Sequence, residues 1–195
     1  MADPDKQGCF WPTRSALLQA YHDTEWGVPL HNDRTLFEYL VLGGAQAGLN
    51  WEIILKRREG YRRAFDHFDL ARVAAYDDAD FARLLADSGI IRNRAKISSA
   101  IHNAGKVIEV QQEFGSFDRY VWQFTGGVTI HHRWTEEAQI PATSPESDAL
   151  SRDMIRRGFK FAGSTICYAF MQAVGMVNDH LVGCRRWAEL GGDQK

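Results

Sequence analysis

Arg157-Gly158-Phe159-Lys160-Phe161-Ala162-Gly163-Ser164-Thr165 reads as the end of one helix, a short turn and the start of another. Apolar residues on both sides recur at helical spacing, so Met154 to Ala173 has the layout of a helix-hairpin-helix. Glycine at both corners, Gly158 and Gly163, permits a tight turn and close approach of a ligand to the backbone. The first N–H groups of the second helix have no partners within it and point outward, which suits a phosphate. Lys160 adds a positive charge there. Two helices joined by a glycine turn occur in many α-proteins, so the motif fixes local structure before it fixes function.

The same reading extends along the chain. Asp33 is expected to cap a helix to about Ala47, and Asn50 another through about Arg58. Ile97, Ala100, Ile101, Ala104, Val107 and Ile108 mark a long helix after Arg92. Ser144 followed by Pro145 reads as an N-cap with proline in the first helical position. Ile166, Phe170, Ala173 and Val174 form the last strongly apolar stripe. Gly89, following Phe81, Leu84 and Leu85, introduces a second turn that carries Arg92 and Arg94. Period-two alternation is nearly absent, and Thr125 to Thr143 reads as an irregular connection. The fold class is all-α. At 195 residues the chain suits a single domain, two helical lobes sharing a core at most, with disorder expected at residues 1–8 and 188–195.

Composition narrows the setting. Hydrophobic residues make up 45% of the chain and aromatics 12%, which is globular. No stretch is apolar enough to span a bilayer and none resembles a signal peptide, so a cytoplasmic protein without a membrane partner is expected. Three cysteines argue for a reducing compartment. The net charge of −2 does not announce a nucleic-acid partner, but the basic residues cluster. Lys56, Arg57, Arg58, Arg62 and Arg63 form one group, Arg92, Arg94 and Lys96 a second, and Arg156, Arg157 and Lys160 a third. Each could be an ordinary solvated helix face. The last two adjoin glycine turns, which favours phosphate binding there.

Two short segments look like halves of a metal site. Twelve residues separate Cys9 from His22, and three separate His180 from Cys184, a spacing that would stack the latter pair on one helix face. Two thiolates and two imidazoles suit zinc and leave no open position for water. The competing reading makes Cys9 a buried small residue and both histidines surface groups.

Taken together these residues resemble the DNA-3-methyladenine glycosylase I family. The specific stretches are Tyr21-His22-Asp23-Thr24-Glu25-Trp26-Gly27-Val28-Pro29, Gln46-Ala47-Gly48-Leu49-Asn50-Trp51, Ser88-Gly89-Ile90-Ile91-Arg92, Arg157 to Phe161 and Val177-Asn178-Asp179-His180. The resemblance runs from Cys9 to Cys184 and implies a helix-hairpin-helix glycosylase fold, monomeric, acting on alkylated bases in double-stranded DNA. It implies one structural zinc on Cys9, His22, His180 and Cys184, joining the two ends of the chain. It implies DNA contacts from Gly158, Lys160, Gly163 and Thr165, from Arg92 and Arg94, and from Gln46 and Leu49. Trp11, Tyr21 and Trp51 fall where the family surrounds the extruded base, and flat rings suit a cationic purine. Trp26 and Trp122 read as core aromatics.

Two positions depart from the family. Its pocket glutamate corresponds to Gly43, and a pocket tyrosine to Leu18. No catalytic residue can therefore be named from the resemblance. Three functions follow: a monofunctional glycosylase for 3-methyladenine, a weak or silent lesion-binding member, or a glycosylase for another alkylated base. Glu38 and Glu52 are the nearby carboxylates, and both are expected to face solvent. Asp179 is expected to hold the neighbouring histidine or cap a helix. No lysine matches a Schiff-base role, so strand cleavage is not expected.

Overall fold

The structure, a computed structural model, describes residues 8–192. It is mostly helical. The helices are α1 (Ala16–Thr24), α2 (Asp33–Gln46), α3 (Trp51–Leu55), α4 (Arg58–Ala64), α5 (Leu70–Ala74), α6 (Asp78–Ala86), α7 (Arg94–Phe114), α8 (Phe117–Trp122), α9 (Pro145–Arg156), α10 (Ser164–Ala173) and α11 (Arg185–Glu189). Polar caps set many of the starts. Asn50 accepts from Ile53 N–H, Asn93 from Lys96 N–H and Ser144 from Ser147 N–H, each such cap contributing about 1 kcal/mol. Asn32, one residue earlier than expected, caps α2, and Asp33 instead receives Phe117 and Asp118 N–H at the start of α8. The helix expected through Arg58 breaks into α3 and α4 at Lys56 and Arg57.

The core is one cluster of buried side chains in which Leu36, Phe37, Leu42, Phe65, Tyr120, Leu150 and Met171 are almost entirely hidden. Helices α2, α7 and α10 meet there. The second glycine turn is fixed by backbone contact: a Cβ on Gly60 of α4 would lie 2.3 Å from Gly89 O. Only glycine permits that approach.

The connection from Thr125 to Thr143 contains a short strand. β1 (Ile130–His131) pairs in parallel with β2 (Val177–Asn178), Ile130 opposite Val177 and His131 opposite Asn178. Two residues are too few to show alternation, so the sequence pattern could not reveal the pair. It ties the loop to the chain entering His180. At the C-terminal end, residues 188–192 are folded where disorder was expected. Helix α11 runs to Glu189, and Gly192 N–H donates to Trp187 O. The remaining expected disorder, at residues 1–7 and 193–195, lies outside the described residues. No described helix is long and apolar enough to cross a membrane.

Candidate active site and metal centre

Four side chains from the two ends of the chain converge. Cys9 Sγ lies 3.9 Å from His180 Nδ1, His180 Nδ1 3.0 Å from His22 Nε2, and Cys184 Sγ 3.6 Å and 3.7 Å from those two nitrogens. All four ligand atoms lie within 4.8 Å of one another. His22 and His180 are buried, which removes the surface reading of both. His180 and Cys184 do not share a helix. His180 follows β2 in a bend, and Cys184 is the N-cap of α11, its N–H bonded to Leu181 O. A turn, not helical stacking, brings the pair together.

The free nitrogens are oriented by partners that fix the tautomers. His180 Nε2 is 3.0 Å from Trp26 O, and a carbonyl only accepts, so Nε2 carries the proton and Nδ1 offers its lone pair. His22 Nδ1 is 2.7 Å from Asp23 Oδ1, leaving Nε2 as the donor atom. Cys9 and Cys184 share a proton: their hydrogen bond, with those from His180 and His22, pushes the Cys184 thiol well below its usual range and pushes Cys9 above it. Ligands about 2.0–2.3 Å from a tetrahedral ion are separated by roughly 3.3–3.8 Å, close to the spacings here. The four residues could hold a metal ion.

Beside this cluster lies a cavity of about 420 Å³. Its aromatic walls are Trp11, Tyr21, Trp26, Tyr39 and Trp51, with Phe170 from α10. Trp11 and Trp26 meet at 5.2 Å in a T-shaped pair, Tyr21 and Trp51 at 5.5 Å, and Tyr39 stacks against Trp51 at 6.4 Å. The structure thus brings Trp11, Tyr21 and Trp51 together in one cavity with Trp26 and Tyr39. Trp26 is a core residue, and the edge it leaves uncovered lines the cavity. Trp122 is a core residue, its N–H given to Leu30 O.

Polar groups enter the cavity from Gln46, Glu137 and Gln172. Gln172 donates its amide to Asp179 Oδ2 at 2.8 Å. Asp179 does not hold His180 or cap a helix. It is buried and accepts from His132, Trp134, Tyr168 and Gln172, pinning the 132–134 segment to α10. Burial would raise its carboxyl, but those four donors outweigh burial and hold it below the usual range. Burial raises Tyr21 well above the ordinary phenol range, so it faces the cavity as a neutral ring.

Gly43 lines the cavity from α2 with helical backbone, and an added Cβ would meet only Ile166 Cγ2, at 3.8 Å. Leu18 is buried in the core and is not among the cavity-lining residues. Neither nearby glutamate reaches the cavity. Glu38, expected to face solvent, is buried and accepts from Arg58 and Arg62, because α4 packs a basic face against α2. Glu52 pairs with Lys56 one helical turn away. Among the described residues no lysine lines the cavity.

The hairpin forms as expected between α9 and α10. Gly158 has φ +92°, a conformation that requires glycine, whereas Gly163 has an ordinary φ of −66° and open space at its Cβ position. The fold itself therefore does not require glycine at position 163. Asn103 of α7 clamps the turn, accepting from Lys160 N–H and donating to Lys160 O. Lys160 and Thr165 are exposed, as are Arg92 and Arg94. A shallow cleft of about 330 Å³, lined by Ala95, Ser98 and His102 of α7 with Lys160 and Phe161, joins the two basic turns. The rest of the basic residues divide. Arg156 and Arg157 are paired with Asp153, and Lys96 donates to Ala45 O and Ala47 O at the end of α2. Gln46 lines the cavity and Leu49 is exposed on the following turn.

The methyladenine glycosylase family model matches residues 11–187. DNA-3-methyladenine glycosylase 1 of Escherichia coli (strain K12) is 47% identical over 176 residues, covering 90% of this chain and 94% of that protein. A crystal structure of 3-methyladenine DNA glycosylase I superposes with a TM-score of 0.89 at 47% identity, over 92% of this chain and 98% of that one. The Staphylococcus aureus enzyme, solved to describe 3-methyladenine recognition, gives 0.88 at 30% identity, over 91% and 94%. A hairpin fold, an aromatic cavity at the far end of the hairpin's second helix and a match spanning nearly the whole chain lead to one conclusion: the chain belongs to the methyladenine glycosylase family.

Proposed function

We propose that this glycosylase is a monofunctional hydrolase that cuts the N-glycosidic bond of 3-methyladenine in double-stranded DNA, acting as a monomer. The observation that carries this reading is the position of α10, which begins at the hairpin and ends as a wall of the aromatic cavity. A backbone held at one end presents its flipped nucleotide to the other. In this reading Gly158, Lys160, Gly163 and Thr165 receive phosphates at the hairpin, and Arg92 and Arg94 receive them at the second turn. Gln46 and Leu49 meet the duplex beside the cavity mouth, where an exposed leucine suits the unstacked gap.

Trp11, Tyr21 and Trp51 then hold the base between their faces. N3-alkylated adenine is positively charged while attached to the sugar and leaves readily, so extrusion, positioning and access for water carry most of the reaction. No lysine among the described residues lines the cavity to form a covalent imine, and the product in this reading is an intact strand with an abasic site.

Zinc is the metal that a two-thiolate, two-imidazole set fits best. Cys9, His22, His180 and Cys184 would hold it with no open position, so it would tie the chain ends together and take no part in bond cleavage. Release of free base from duplexes carrying different alkylated bases, measured beside duplex binding, tests the proposal. Efficient release of 3-methyladenine supports it. Lesion binding without release would make this a silent binding member, and release of bulkier bases alone would redirect its specificity. Gly43 favours the last alternative, because it leaves the cavity wider there.

A further inference from the structure

Among the described residues, five tryptophan and tyrosine rings line the cavity but only a single carboxylate does, Glu137. Its Oε1 accepts from Phe10 N–H at 2.5 Å and Trp11 N–H at 2.8 Å, while Oε2 receives no hydrogen bond among the described residues. Glu137 also has no ion-pair partner among them, and none of the described lysines or arginines lines the cavity. The charged network behind Tyr39 is internally compensated, Arg58 and Arg62 facing Glu25 and Glu38.

This carboxylate is held by its loop. Gln139 Oε1 receives Thr135 N–H and Glu136 N–H, closing the 3-10 turn Glu137–Gln139. Val182 N–H donates to Trp134 O, and Asp179 grips His132 and Trp134. A positioned, half-satisfied acceptor beside aromatic faces offers a cation both ring quadrupoles and a negative charge, and offers a neutral base the rings alone.

We propose that Glu137 is the specificity-determining acid of this pocket, selecting a purine that carries positive charge and supplying from the 137–141 loop the charge that α2 lacks at Gly43. The assignment rests on the glycosylase reading for its biological substrate, but the charge preference can be measured without turnover.

The probes are 3,9-dimethyladeninium, a cation, and neutral 9-methyladenine, titrated against tryptophan fluorescence. The full chain should bind the cation at least about tenfold more tightly than the neutral base. Glu137→Gln keeps an oxygen for Phe10 and Trp11 N–H but removes the charge, and should bring the ratio to roughly one to two, with neutral-base affinity unchanged. Glu137→Asp should recover part of the preference. A purely structural role predicts equal loss for both probes. The inference is overturned if the wild-type protein shows no cation preference, or if Glu137→Gln keeps it. Base release by the wild-type protein reports separately on the glycosylase reading: release with an unchanged Glu137→Gln ratio rejects only Glu137, and a cation preference without release rejects only the enzyme.

Discussion

Arg58 Nε donates to Glu38 Oε1 at 2.5 Å beneath the cavity wall, and this bond removes the nearest glutamate on α2 from any part in reading a base. Arg58 also donates to Glu25 Oε2, which accepts from the Tyr39 hydroxyl. The wall behind the pocket is thus braced by a buried ion network, and breaking such a network by removing one partner typically costs about 3–5 kcal/mol.

Gly43 is then free to vary. Its helical backbone and the 3.8 Å gap to Ile166 predict that Gly43→Ala stabilises the protein by about 0.5–1 kcal/mol, measured by denaturant titration. Gly43→Glu should fold as well. In a Glu137→Gln background it should raise 3-methyladenine release by an amount worth about 1–3 kcal/mol, and by less in the wild-type protein, where Glu137 already supplies charge. A folded double variant no faster than Glu137→Gln alone would argue against a carboxylate reader at position 43.

Metal analysis of purified protein should give about one zinc per chain. Cys184→Ala should lose it, and a stability loss of about 3 kcal/mol would lower Tm by roughly 6–12 °C in a chain of this size. Folded, active protein without stoichiometric metal would remove zinc from the account.

Lys160 is exposed at the hairpin and has no ion-pair partner among the described residues. Lys160→Ala should weaken duplex binding and reduce the slope of log affinity against log salt by about one. An unchanged slope would move the duplex off this turn.

Asp153 predicts an acid dependence. Burial would raise its carboxyl, but hydrogen bonds from Arg157, Arg156 and Tyr120 outweigh burial and hold it below the usual range. A carboxyl depressed in the folded state contributes stability that is complete above its unfolded pKa of about 3.9 and lost as pH falls through the folded value. Asp153→Asn should therefore be less stable than wild type at pH 6, with the gap narrowing below about pH 4 in urea titrations. A gap independent of pH would assign the effect to packing.

Local signals were legible and distant ones were not. Asn50, Ser144 and the Gly158 turn announce themselves because capping and positive φ are set by immediate neighbours. The four metal-site residues were legible through the family resemblance, since their spacing alone suggests a helix that the His180–Cys184 turn does not form. Glu38 reads as a surface residue until α4 is seen to bury it under two arginines. Glu137 carries no signal, because its place in the cavity depends on a two-residue strand pairing with a partner 47 positions away.

The contacts that complete the cavity and the metal cluster join the far ends of the chain: Trp11 to Glu137 across 126 positions, and Cys9 to His180 across 171. During synthesis Cys9 and Trp11 must therefore wait, without their partners, until Glu137 and then His180 have been made. A protein truncated before His180 would carry every cavity-lining residue but lack half of the metal cluster that holds Cys9 beside them. Such a fragment would keep the walls of its cavity and lose the clasp beside the first of them, Trp11.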